Sequence, residues 1–340
     1  MDVNITKINA TKEQGDVIEI AAIDLWYDVV AVVLGALAIT GNALIMFLIA
    51  SRRRLQQTQN WLIFSLSTSD FLIGLSVITN FICVAVFRSW EISNTLKILK
   101  DSLFDVSSLN LCVLAADRCV AVFWPLRYHA LVNRRKVITI IIMVWAIPAA
   151  IGLPYLSIQS DDTPANTLYP ATLVLIFQTF PSVFMVIAYI RIFYVVYWLK
   201  KQEAIQINQL RFNLANSGPS RAICRPSFSI TSIGSLVVCF ALCNLVSSVR
   251  AVCWLLYDRC RLPVLLLDIT TLLFYANAAV NFIVYSMVKS DFQREFLKFI
   301  KGCWCRAEVR VNTASTTTNN GVFMQNINHP DNVSEIQTAL

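Results

Sequence analysis

The chain has 340 residues, of which 56% are hydrophobic and only 14% charged, whereas a soluble domain carries roughly a quarter charged residues. This balance excludes an ordinary soluble globular protein and points to lipid as the solvent. The net charge of +7 does not call for nucleic acid, because basic loops facing anionic lipid account for it.

Residues 1–24 are polar and acidic, with Asp2, Glu13, Asp16, Glu19 and Asp24, and hold two glycosylation sequons at Asn4 and Asn9. They are expected to lie outside the cell. Apolar runs long enough to cross a hydrocarbon core, about 20 residues each, follow near 25–51, 58–86, 97–123, 136–156, 168–199, 227–257 and 262–288. The first lacks the basic start and cleavage site of a secretory signal, so it is expected to be a retained anchor.

Basic residues gather in alternate loops, as the positive-inside rule requires of cytoplasmic ones. They are Arg52, Arg53 and Arg54; Arg127, Arg134, Arg135 and Lys136; Lys200, Lys201, Arg211, Arg221 and Arg225; and Lys289, Arg294, Lys298 and Lys301. The longest inner loop is expected over 200–226, with a break at Gly218-Pro219. Paired Gly/Pro-broken segments in corresponding halves, the mark of many transporters, are not seen.

Residues 289–305 alternate Phe292, Phe296, Leu297 and Ile300 with Asp291, Arg294, Glu295 and Lys298, a spacing that predicts a short amphipathic eighth helix on the inner leaflet. Cys303 and Cys305 at its end are candidates for palmitoylation, the alternative being two unmodified thiols. Most of the other cysteines, such as Cys112, Cys119, Cys239 and Cys243, lie in membrane runs and read as small apolar side chains. Residues 306–340 are polar and predicted to be a disordered cytoplasmic tail. The expected fold is an all-α membrane protein, a seven-transmembrane-helix bundle occupying residues 25–288.

Inside such a bundle every charge is expensive and therefore a functional candidate. In the third run Lys100, Phe104, Ser107, Leu111, Leu114 and Arg118 recur at steps of three and four, forming one stripe about 27 Å long with a cation near each membrane face. Taken alone, the Asp117-Arg118 pair would read first as a snorkelling interfacial arginine.

The sequence around that pair, from Asp117 through Arg118, Pro125, Leu126 and Arg127 to Tyr128, closely resembles the signature of rhodopsin-like G-protein-coupled receptors. Cys119 stands where a tyrosine is usual. Other family marks fall in order: Gly41-Asn42, Leu66 with Asp70, Trp145, Pro181 with Tyr189, Phe240 with Cys243, and Asn277, Asn281 and Tyr285, then Phe292. The resemblance covers about residues 25–300. It implies a receptor rather than an enzyme, activating a heterotrimeric G protein through Asp117, Arg118, Pro125, Leu126, Tyr189 and Tyr285. Asp70, Ser107, Asn277 and Asn281 resemble the family's allosteric sodium site, oxygen donors suiting a hard cation; the alternative is interhelical hydrogen bonding. No other cofactor is expected.

Three departures stand out. The sixth run reads Phe240-Ala241-Leu242-Cys243-Asn244-Leu245-Val246, without the family's tryptophan and kinking proline, which predicts a straighter helix. Phe282 replaces the proline after Asn281. Ser93 occupies the position of the usual disulfide cysteine, and Cys260 is expected to be a free thiol.

The ligand-pocket candidates are Lys100, Asp101, Phe104, Asn244, Arg250, Asp268 and Tyr275. In the related amine receptors the position of Lys100 holds an aspartate, so Lys100 with Arg250 suggests an anionic ligand; neutralisation by Asp101, Asp105 and Asp268 is the alternative. Tyr275 stands where opsins carry their retinal lysine, which argues against light sensing. A seven-helix protein without G-protein coupling, a channel and a transporter remain as other readings. In the tail, Ser315, Thr316, Thr317 and Thr318 suggest arrestin after phosphorylation, and Thr338-Ala339-Leu340 suggests a PDZ domain, the alternative being an inert tail.

Overall fold

The computed structural model describes residues 2–87, 90–152, 154, 165–213, 244, 248–249, 251–252, 263–288 and 291–298. All regular structure among them is helical. Among the described residues, six helices are long and apolar enough to cross a membrane: Leu25–Ser51, Asn60–Ala85, Thr95–Phe123, Arg134–Gly152, Ala171–Ile207 and Val264–Ser286. They coincide with the first five expected runs and the seventh. Most of the sixth run lies outside the described residues, and its residues 244, 248–249 and 251–252 are helical.

The first helix, Asp2–Ser51, packs chiefly on the second, Asn60–Ala85, and on the seventh, Val264–Val288; the second packs on the third, Trp90–Phe123. The pattern inverts that of a soluble protein. Val29, Val33, Leu37 and Phe47 are exposed, while Asn42, Asn60, Ser67, Ser69 and Asp70 are fully buried. In lipid each polar group must find its partner inside the protein. Accordingly Thr68 Oγ1 donates to the Phe64 carbonyl (2.8 Å), Ser69 Oγ to that of Leu66 (2.8 Å) and Ser76 Oγ to that of Ile73 (2.7 Å).

Longer side chains join helices instead. Asn42 Nδ2 donates to the Ala38 carbonyl (2.9 Å) and across to that of Ala278 (3.1 Å), and Trp145 Nε1 donates to Ser65 Oγ (3.0 Å). Gly74 lets the first two helices meet: a β-carbon there would lie 2.7 Å from the Gly35 carbonyl oxygen.

The fourth helix, Arg134–Gly152, begins where Asn133 Oδ1 accepts the Lys136 amide (2.9 Å), an N-cap. The fifth begins as Ala165–Val174, passes through a π-helical turn at Leu175–Thr179 and continues as Phe180–Asn213. Pro181 follows that turn; lacking an N–H and crowding the preceding carbonyls, it favours a wider turn there. The expected loop from residue 200 starts later than predicted. Residues 200–213 stay helical because Lys, Gln, Glu, Ala and Leu dominate them, all good helix formers.

The chain divides into two units, residues 1–289 and 290–340. In the second, residues 291–298 are helical and Lys298 Nζ pairs with Glu295 Oε1 at 2.9 Å. The remainder of the predicted amphipathic segment, Cys303, Cys305 and the tail motifs fall outside the described residues.

Candidate functional site

The candidate side chains collect at three depths along the third helix. At the end carrying Arg118, its Nη2 lies 3.4 Å from Asp117 Oδ2 and donates to Gln59 Oε1 at 3.2 Å. Tyr128, in the short helix Tyr128–Leu131, donates its hydroxyl to Asp117 Oδ1 at 2.7 Å. Burial, and then the bond to Asp117, pushes the Tyr128 hydroxyl well above the ordinary tyrosine range. Arg118 is thus held from the second helix as well as by its neighbour. Tyr189 packs beside buried Ala115 and Met185, Tyr285 is buried, and Leu126, following Pro125, is fully exposed. Gln59 was not predicted. A single glutamine at a helix start carries no sequence signal for its cross-helix partner.

At mid-depth, Asp70 is fully buried. Ser107 Oγ donates to its Oδ1 and Asn281 Nδ2 to its Oδ2, each at 2.8 Å. Three of the four predicted residues are therefore joined, and Asn277 is also buried. Asn281 Oδ1 and Asn42 Oδ1 are buried without a hydrogen-bond partner among the described residues. A carboxylate with the unused Asn281 amide oxygen on the side chain bonded to it offers oxygen donors of the hard kind that sodium takes.

Nearer the other end, Lys100 Nζ donates to the Tyr275 hydroxyl at 2.8 Å and stands 5.3 Å from that ring's centroid. Phe104 stacks on Tyr275 (5.9 Å, 23°) and meets Phe274 at 5.3 Å. Asp101 is exposed and Asp268 half-buried. Asp105, one turn below Asp101, is buried and accepts from Gln178 Nε2 at 3.3 Å. Asn244 is buried and its carbonyl accepts Ser248 Oγ (2.7 Å). Gln178 was not anticipated, because the π-helical turn that places it breaks the regular helical spacing. Arg250 lies outside the described residues, as do the side chains of Asn4 and Asn9.

Residues 41–285 match the family described as 7 transmembrane receptor (rhodopsin family). The chain belongs to that family. Rhodopsin-family proteins are receptors rather than enzymes, and this receptor is a multi-pass protein of the cell-surface membrane. It is 27% identical to the mouse 5-hydroxytryptamine receptor 6 over 85% of this chain and 74% of that one. It is equally identical to the mouse adenosine receptor A2b over 84% and 93%, and 24% identical to the mouse trace amine-associated receptor 1 over 78% and 85%. Those names span chemically unlike ligands, so the relationships fix the family and leave the receptor's subfamily open.

Proposed function

We propose that this receptor binds a small extracellular ligand in the outer half of its bundle and activates a heterotrimeric G protein at the end carrying Arg118, with its N-terminus outside the cell. The supporting observation is the Arg118 clamp. A guanidinium is paired with Asp117 and bonded to Gln59, and Leu126, two residues before the Tyr128 that bonds the same Asp117, is fully exposed. Released from Gln59, Arg118 would offer a cation, and Leu126 an apolar knob, to one partner surface. The basic loops around this end favour its cytoplasmic placement.

Asp70, Ser107, Asn277 and Asn281 would hold sodium in the inactive state. Arrestin and PDZ-domain binding by the tail, glycosylation at Asn4 and Asn9, and palmitoylation at Cys303 and Cys305 rest on sequence alone.

The test needs no ligand. Wild type and Arg118→Ala are expressed at matched surface levels, and basal activity is compared across sensors for each G-protein class. Coupling predicts a signal in at least one class that Arg118→Ala abolishes. Equal signals in both proteins would favour the alternative, a seven-helix protein that does not couple.

A further inference from the structure

Between the third, fifth and sixth helices lies a buried polar group that neither the Arg118 clamp nor the Asp70 site uses. Its centre is Asp105, 6% exposed, whose one hydrogen bond among the described residues is the long contact from Gln178 Nε2 at 3.3 Å. Most hydroxyls around it are already engaged. Ser182 Oγ donates to the Gln178 carbonyl (2.6 Å), Thr179 Oγ1 and Ser248 Oγ share a bond (2.7 Å), and Ser248 also reaches the Asn244 carbonyl. Among the described residues, neither Ser108 Oγ, on a side chain 1% exposed, nor Gln178 Oε1, on one 8% exposed, has a hydrogen-bond partner. Ser108 lies three residues beyond Asp105 and so on the same helix face, and the Gln178 amide already touches the carboxylate.

The unsatisfied atoms are therefore all oxygens, one set carrying negative charge. A carboxylate buried with so little compensation either takes up a proton or is stabilised by a cation, and a primary ammonium would bring both the charge and the N–H donors that these acceptors lack. Lys100 does not fill this role. It lies five residues earlier, roughly 7.5 Å along the axis and about 140° around the helix, and its ammonium is bonded to Tyr275. Asp101, one turn above Asp105, is exposed.

We infer that Asp105, Ser108 and Gln178 form the recognition site for a protonated primary amine, so that the receptor's ligand is an amine-bearing small molecule docked between the third and fifth helices. This rests on the receptor reading for its physiological meaning, but binding is measured independently of coupling.

The experiment uses the purified full chain in nanodiscs and thermal unfolding with millimolar phenethylamine, 2-phenylethanol or 3-phenylpropionate. Phenethylamine raises the midpoint of the wild type by about 3 °C, the size expected near tenfold saturation, and the alcohol and the acid do not. The shift disappears in Asp105→Asn and shrinks in Ser108→Ala, the milder change should the first variant fold poorly. It persists in Thr139→Ala, an exposed change on the fourth helix. No shift with phenethylamine, an equal shift with the alcohol or the acid, or an undiminished shift in Asp105→Asn and Ser108→Ala overturns the inference. A coupling failure with Arg118→Ala would leave these results untouched, so the two ideas fail separately.

Discussion

The ring of Phe282 fills the space over the α-carbon of Gly41: a β-carbon at residue 41 would sit 2.0 Å from Phe282 Cδ1. Where the family has a small ring-locked proline, this receptor has a large flat one, and Gly41 makes room for it. The neighbouring Asn42 bonds to Ala278 across the same seam. Gly41→Ala should therefore overpack the junction of the first and seventh helices and cost about 1–3 kcal/mol. Gly41→Ala combined with Phe282→Ala should recover most of that loss relative to Phe282→Ala alone. A double-mutant cycle in thermal unfolding checks this; purely additive effects would contradict the packing.

Asp70 is expected to make the receptor's stability sodium-dependent. Only neutral donors, Ser107 and Asn281, reach its carboxylate in the hydrogen bonds seen, and a cation there would add attraction that the unfolded chain lacks. At tenfold saturation the gain is about 1.4 kcal/mol. Exchanging potassium for sodium should raise the unfolding midpoint of the wild type by a few degrees and leave Asp70→Asn unmoved. A wild type indifferent to the exchange would return this cluster to a purely structural role.

The clamp on Arg118 predicts constitutive activity when it is cut. Gln59→Leu removes a hydrogen bond to a charged group, worth roughly 1.5–3 kcal/mol, and should raise basal signalling several-fold at matched surface expression. Tyr128→Phe should raise it less, because Asp117 keeps its ion pair with Arg118. The Tyr128 hydroxyl is pushed above its ordinary value near 10 by burial first and Asp117 second, so it stays protonated and donating. Alkaline shifts between about pH 6 and pH 8 should not release this bond, and a rise in basal signal that Tyr128→Phe abolishes would contradict it.

Much of this was legible in the sequence, for definable reasons. Apolar runs gave the first five helices and the seventh because lipid imposes a length and an exclusion of charge, both of which are linear properties. Asp70, Ser107 and Asn281 were gathered by resemblance, and two hydrogen bonds join them in the fold. Gln59 and Gln178 were missed, since each acts through a partner more than 50 residues away. The fifth helix was drawn too short because its last turns are polar, and polarity marks the end of a membrane span but not of a helix. The Lys100–Tyr275 bond joins two residues that were singled out separately; only the fold reveals that one answers the other.

That bond makes two substitutions differ in sign. Tyr275→Phe keeps the stacking on Phe104 and the ring beneath Lys100 but strips the hydroxyl that accepts the ammonium. A half-buried cation would lose its bonded oxygen, costing about 1–3 kcal/mol. Lys100→Met removes the cation itself, retains most of the side-chain volume and leaves a neutral phenol, which is far cheaper to desolvate than a charge. Replacing a buried ionic group by an apolar one of similar size is often neutral or stabilising. Thermal unfolding should therefore rank Lys100→Met at or above the wild type and Tyr275→Phe below it, with the double variant close to Lys100→Met. If Lys100→Met instead falls as far as Tyr275→Phe, the ammonium itself contributes net stability, and its partners must extend beyond the tyrosine.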